Sequence, residues 1–323
     1  MKLKLKTAIF SICFIFIYIN KIYAQDPDFS QFFADALYYN PAEAGSAGLP
    51  RLFLHYRNQY PSLGNAFVTY NASYDQPSKN IEGGWGINFL SDVLGNGSMI
   101  NSSADFIYAH KFKVSRKFSI QAGLQVSLLF HSLNASKFTV FTDNFETINS
   151  NLTTQPDFSI GAMALSRDDQ IGLACNHLNT GYARFNYNYI SFPIKLTFYA
   201  IHNFHIYNQG KINNNEFIIS PGVLIENQAQ STMINAGCIF TKNELSVGIW
   251  LRDILPLQFN STIFSLSYMY NNIKLTYSYD YDLRYIAYNM SSTGAHELSL
   301  VMLFTPDPKR KRYGPISCPD IHQ

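Results

Sequence analysis

Residues Phe264–Phe304 read FSLSYMYNNIKLTYSYDYDLRYIAYNMSSTGAHELSLVMLF. Taken two at a time, Phe264, Leu266, Tyr268 and Tyr270 alternate with Ser265, Ser267 and Met269. After Asn271-Asn272, the residues Ile273, Leu275, Tyr277, Tyr279 and Tyr281 alternate with Lys274, Thr276, Ser278 and Asp280. A polar loop follows, then Leu298, Leu300, Met302 and Phe304 alternate with Glu297, Ser299, Val301 and Leu303. Successive side chains of a strand point to opposite faces, so each run has one apolar and one mostly polar face. The Asn-Asn pair suits a two-residue hairpin turn, because Asn tolerates the positive φ such turns need. The runs are about nine residues or longer, which is the span of a tilted membrane strand.

Composition agrees with that reading. The chain has 323 residues, of which 14% are charged and 15% aromatic. Ordinary soluble domains carry roughly 25% charged residues, so little of this surface faces water. Mean hydropathy is near neutral, which excludes a helical membrane protein and suits a barrel, whose apolar residues are hidden in alternation.

The first 24 residues form a separate object. Lys2, Lys4 and Lys6 make a basic start, Ala8–Ile19 is an apolar run, and Ala24 offers a small residue for cleavage before Gln25. The apolar run is too short to span a bilayer, so residues 1–24 are expected to be a cleaved signal peptide. Its removal takes away four lysines and no acids, leaving 20 basic against 22 acidic side chains. Nothing in that balance points to nucleic acid.

From Arg51 on, about fourteen strands are expected, at 51–60, 65–75, 83–92, 99–111, 117–130, 157–166, 169–177, 194–207, 215–227, 231–240, 244–252, 260–270, 273–282 and 294–304. The expected fold is an all-β, transmembrane antiparallel β-barrel over residues 51–304. Several connections after even-numbered strands are tight, as at Arg167–Asp168 and Asn271–Asn272, although Gln76–Glu82 is longer and the odd-strand loop near Ala229 is short. Several after odd-numbered strands are long, as at Leu133–Pro156, Leu178–Pro193 and Asp282–Thr293. Outer-membrane barrels sort their connections in this way, with short turns in the periplasm. Residues 25–50 lack alternation but carry Phe29, Phe32, Phe33, Tyr38 and Tyr39; they are assigned as an N-terminal periplasmic segment, or one folded against the barrel mouth. Residues 305–323 are assigned as a periplasmic tail, whose Lys309–Arg312 run suits anionic lipid headgroups. Trp250, Met269, Val301 and Leu303 fall on the inward face, which implies a filled interior.

Candidate chemistry is sparse. Cys175 and Cys238 fall on outward positions of different strands and are expected to be free, and no spacing suits a metal or a cofactor. His131-Ser132, with Asp143 and Glu146 in the next loop, lacks any supporting nucleophile motif. No enzymatic activity is expected. Asp280 and Glu297 face inward with Arg284 between them in sequence, and together make a candidate luminal polar cluster. His177 reads as structural. The aromatic loop residues Tyr182, Phe185, Tyr187, Tyr189, Tyr285 and Tyr288 are candidate partner contacts, since such side chains give large contact area at small entropic cost.

Several motifs in order resemble the PorP/SprF family: Gln25-Asp26-Pro27 with Phe29-Ser30-Gln31-Phe32; Leu37-Tyr38 with Asn40-Pro41-Ala42 and Ala44-Gly45; Tyr56-Arg57-Asn58-Gln59; Pro156-Asp157-Phe158-Ser159; His177-Leu178; Tyr277-Ser278-Tyr279-Asp280; Gly294-Ala295-His296-Glu297-Leu298; and Cys318-Pro319. Tyr60 stands where the family usually has Trp. The resemblance covers essentially the whole mature chain. It implies a type IX secretion system outer-membrane protein that supports secretion or surface attachment of a partner, such as a gliding adhesin, carrying a type IX C-terminal domain. It also implies contacts with other machine components and with outer-membrane lipid. The alternative class is an outer-membrane diffusion channel or small-solute transporter, since a barrel of this size can enclose a lumen.

Overall fold

The computed structural model describes residues 26–63, 67–134, 137, 151–179, 182–185, 188–207, 216–255, 260–283 and 294–304. Seven strands follow one another as antiparallel neighbours: β1 (Arg51–Gln59), β2 (Phe67–Ser78), β3 (Gly83–Leu94), β4 (Met99–Lys113), β5 (Phe118–Leu133), β6 (Asn151–Ser166) and β7 (Asp169–Asn176). A separate hairpin, β8 (Tyr182–Phe185) and β9 (Asn188–Ser191), pairs only with itself. β10 (Lys195–His202) and β11 (Phe204–Tyr207) both pair with β12 (Glu216–Gln228) in one continuous register, so they are a single barrel strand interrupted at Asn203. The chain continues through β13 (Ser231–Lys242), β14 (Leu245–Ile254), β15 (Ser261–Tyr270), β16 (Ile273–Asp282) and β17 (Ala295–Leu303). β17 returns to β1, from Arg51 opposite Leu303 to Gln59 opposite Ala295, and closes a 14-strand antiparallel barrel. Closure joins the first and last strands and so removes the two free edges of the sheet, as a strand structure in hydrocarbon requires.

The barrel is turned inside out relative to a water-soluble protein. Along β5, Ile120, Leu124, Val126 and Leu128 point outward and are exposed, while Ser119, Gln121 and Ser127 point inward and are buried. Phe89, Phe106, Leu173, Leu251, Leu266 and Leu298 continue the apolar exterior around the wall. Withdrawing one such side chain from water is worth roughly 1.5–3 kcal/mol, so this surface belongs against lipid. Cys175 and Cys238 lie on the outward face and are free.

The strand bounds agree with the alternation to within a few residues, except that β6 starts at Asn151 rather than 157. β7 pairs β6 only from Ile160 to Leu165. In the unpaired stretch Pro156 costs no ladder bond on that side, so the strand extends through it. At one end of the barrel most connections are tight, the eight residues between β11 and β12 excepted, and Asn271 takes φ 52° as the Asn-Asn turn requires; this is the turn end. The opposite, loop end carries the longer connections.

The main difference from the sequence reading concerns residues 25–50, assigned above to the periplasm or to the barrel mouth. Asp26–Pro50 lies inside the barrel and plugs it. The segment folds into three short helical turns, Phe32–Ala34, Ala36–Tyr39 and Pro41–Glu43. The Asn40 side chain caps the last, accepting from the Ala42 N–H at 2.9 Å, with Pro41 at the first helical position. The physical reason for burial is the aromatic content. Phe29, Phe32, Phe33 and Tyr39 form one core with inward Tyr199, Ile201, Leu224, Ile239, Trp250 and Ile263. Leu37 and Ala44 form a second with Phe53, Ile107, Ala109 and Val301, and Ala42 and Ala47 a third with Met163 and Leu165. The inner wall is therefore not uniformly polar, and the inward bulk of Trp250 and Val301 meets this plug. Gly123 and Gly161 let it approach: a Cβ at either would collide with Pro41–Ala42 or with the Asn40 side chain.

Candidate functional site

The plug is bound at three levels. Near the loop end, Asp26 lies between His177 and Gln228: its carboxylate meets His177 Nε2 at 2.8 Å and its backbone N–H donates to Gln228 Oε1 at 2.9 Å. His177 follows β7 with φ 59°, and its Nδ1 meets Asp157 at 2.8 Å. Burial alone would push the His177 imidazole down, but the carboxylates of Asp26 and Asp157 override it and raise it to about 10. The same pairing holds Asp26 well below the usual carboxylate range, against the effect of burial. Beside them Lys195 pairs with Glu226 at 2.7 Å and lies over the Tyr38 ring at 4.9 Å.

Next along the plug a charged clasp grips Phe29–Gln31, built from residues near the loop-side ends of β1, β14, β16 and β17. Glu297 accepts the backbone N–H groups of Ser30 and Gln31, each at 2.8 Å. Arg57 donates to Glu297 at 2.8 Å and to Asp280 at 2.9 Å. Arg252 donates to Asp280 and to the Phe29 carbonyl, each at 3.0 Å. His55 Nε2 meets Glu297 at 2.8 Å, and its ring stacks on Phe29 with centroids 4.4 Å apart. Charge-assisted bonds of this kind are about twice as strong as neutral ones. With nearly every partner buried, the clasp fixes both position and register.

At the turn end Arg51 grips Asp75 through Nε at 2.8 Å and Nη2 at 2.9 Å, and Asp75 accepts the Gly45 N–H at 2.6 Å. Arg51 also donates to the Glu43 carbonyl and to Ser46. Glu43 accepts from Tyr199, Gln170 and Ser46, and burial raises its pKa despite nearby Arg51. The plug therefore traverses the lumen, entering by the loop end at Asp26 and leaving by the turn end, where Pro50 accepts from Phe304 and Arg51 begins β1.

Of the predicted luminal cluster, the structure brings Asp280 and Glu297 together, bridged by Arg57. Arg284 lies outside the described residues. The cations that sequence reasoning missed are Arg57 and Arg252. Arg57 is the cross-strand partner of Glu297, and its inward parity with His55 was the available signal. Of the predicted partner contacts, Tyr182, Phe185 and Tyr189 lie on the β8–β9 hairpin at the loop end; Tyr187, Tyr285 and Tyr288 lie outside the described residues, as do Asp143, Glu146 and the basic tail. His131 sits inward, its Nδ1 3.0 Å from Asn101 Oδ1 and its ring stacked on Phe192.

Residues 21–302 match the family model described as "Type IX secretion system membrane protein PorP/SprF". No curated protein matches the chain significantly. Among solved structures, the chain is similar to a monoaromatic hydrocarbon channel, CymD, at TM-score 0.47 and 10% identity, over 84% of this chain and 93% of that one. It is similar to a Pseudomonas aeruginosa FadL homologue at TM-score 0.41 and 12% identity, over 84% and 94%. It is similar to BamA from Haemophilus ducreyi at TM-score 0.40 and 10% identity, over 79% and 70%.

Proposed function

Because the chain belongs to the PorP/SprF family of type IX secretion system membrane proteins, we propose that it is a plugged outer-membrane barrel that acts by holding partner proteins and not by passing solutes. The loop end faces the cell exterior and presents the β8–β9 hairpin and its neighbouring loops to a secreted partner bearing a type IX C-terminal domain, such as a gliding adhesin. The turn end faces the periplasm and the rest of the machine. No catalytic step is part of this role.

The observation that supports the reading is the clasp: Glu297, Arg57, Asp280 and Arg252 hold Phe29–Gln31 inside the lumen by buried charge-assisted bonds. So firmly fixed a segment argues against an open diffusion pore. The test is to delete the gene and follow the surface display of proteins with type IX C-terminal domains, then to complement with the wild type and with a chain whose loop-end tyrosines Tyr182, Tyr187, Tyr189, Tyr285 and Tyr288 are Ser. Loss of one partner from the surface, restored by the wild type alone, supports the reading. Unchanged display in the deletion strain overturns it.

A further inference from the structure

Near the loop end, beside the aromatic core, a cleft remains between the plug residues Asp26, Pro27 and Tyr38 and the inner wall of β3–β6. Its wall residues spend their donors on one another. Asn88 Nδ2 donates to Asp105 at 2.7 Å, Ser103 donates to the same carboxylate at 3.1 Å, and Thr69 donates to Asp92 at 2.7 Å. His131 Nδ1 faces the Asn101 side-chain oxygen. That oxygen only accepts, so Nδ1 carries the proton and Nε2 of the neutral ring is an acceptor.

What is left over is one-sided. Asn88 Oδ1, Asp157 Oδ1 and His131 Nε2 have no hydrogen-bond partner among the described residues, and these side chains are 2%, 2% and 3% exposed. All three atoms are acceptors. The charge is one-sided too. Asp26 and Asp157 share His177, but neither Asp92 nor Asp105 has a cationic partner among the described residues. The nearby Arg57 is engaged by Asp280 and Glu297, and Lys195 by Glu226. Stacked His131 and Phe192, with centroids 4.3 Å apart, add a flat aromatic wall of the kind that favours cations. Buried acceptors left unpaired are costly, and a negative cleft walled by protein concentrates positive charge. Among the described residues no three His, Cys, Asp or Glu side chains are placed to hold a metal ion, so the guest brings its own donors.

We propose that this cleft binds a small organic cation rich in N–H donors, an alkylammonium or a guanidinium. Asp92 and Asp105 supply the charge, and Asn88, Asp157 and His131 accept its hydrogen bonds. The site is independent of the partner-holding role.

The experiment is calorimetric titration of the full chain in detergent with putrescine and with methylguanidinium. At least one probe should bind saturably to a single site. 1,4-Butanediol, of similar length but uncharged, should bind about tenfold more weakly or worse. Asp92→Asn and Asp105→Asn should each weaken the cation by a similar factor. Leu129→Trp, which fills the cleft and changes no charge, should abolish it. Absence of saturable binding by either probe, or equal binding of butanediol to the wild type, would overturn the proposal; the second comparison holds even where a variant fails to fold.

Discussion

Arg57 and Glu297 face each other across the seam that closes the barrel, 2.8 Å apart, and the same carboxylate clasps two consecutive backbone N–H groups of the plug. Seating of the plug in this clasp thus depends on closure of the barrel. The plug cannot be clasped until β17 lies beside β1, and the closed seam buries a guanidinium whose partners are Glu297, Asp280 and Ser30.

Glu297→Gln removes the anion from this network and leaves Arg57 buried with one charged partner fewer. Breaking one side of a buried pair costs about 3–5 kcal/mol. Denaturant unfolding of the purified barrel should show a loss of that size. A variant as stable as the wild type would mean the clasp is not fixed as described.

Gly161→Leu puts a side chain where Asn40 lies. The strand itself tolerates Leu at this position, so the barrel should still assemble while the plug fails to seat. Limited proteolysis is expected to cut within residues 26–50 in the variant and to spare them in the wild type. Equal resistance would show that the plug does not depend on this approach.

Asp28 lies near the loop end, and Lys79 in the turn after β2 at the opposite end. In intact cells a membrane-impermeant thiol reagent should label Asp28→Cys and leave Lys79→Cys unlabelled until the outer membrane is opened. The reverse pattern would invert the proposed orientation.

The Asp26–His177 contact is expected to be pH-dependent. His177 is raised from 6.5 to about 10 on folding, so its contribution is complete below about 6.5 and is lost as pH rises through 10. Asp26 is depressed, so its contribution is present above its ordinary 3.8 and fades as pH falls below it. His177→Asn keeps a residue tolerant of positive φ and removes the charge. The stability gap between wild type and this variant should therefore be widest between about pH 4 and 6.5 and should narrow toward pH 10. A gap independent of pH would contradict the assignment.

The strands were legible because alternation has a period of two, and the same parity turned Asp280 and Glu297 inward and Cys175 and Cys238 outward. Arg57 and Arg252 were missed as their partners because alternation is local. It says which face a residue takes, not which strand 240 positions away will lie beside it, as β17 does beside β1. The plug was missed for the complementary reason. Residues 26–50 have no period, and their aromatics showed only that they avoid water, not that the shelter is the lumen of their own barrel.

The account rests on a lumen blocked by the plug, and conductance in planar bilayers tests it directly. The purified wild type is expected to pass little steady current, and a variant lacking residues 26–50 to open a large one. A wild-type protein with a large, steady conductance equal to that of the deletion variant would contradict the plugged barrel and restore the diffusion channel.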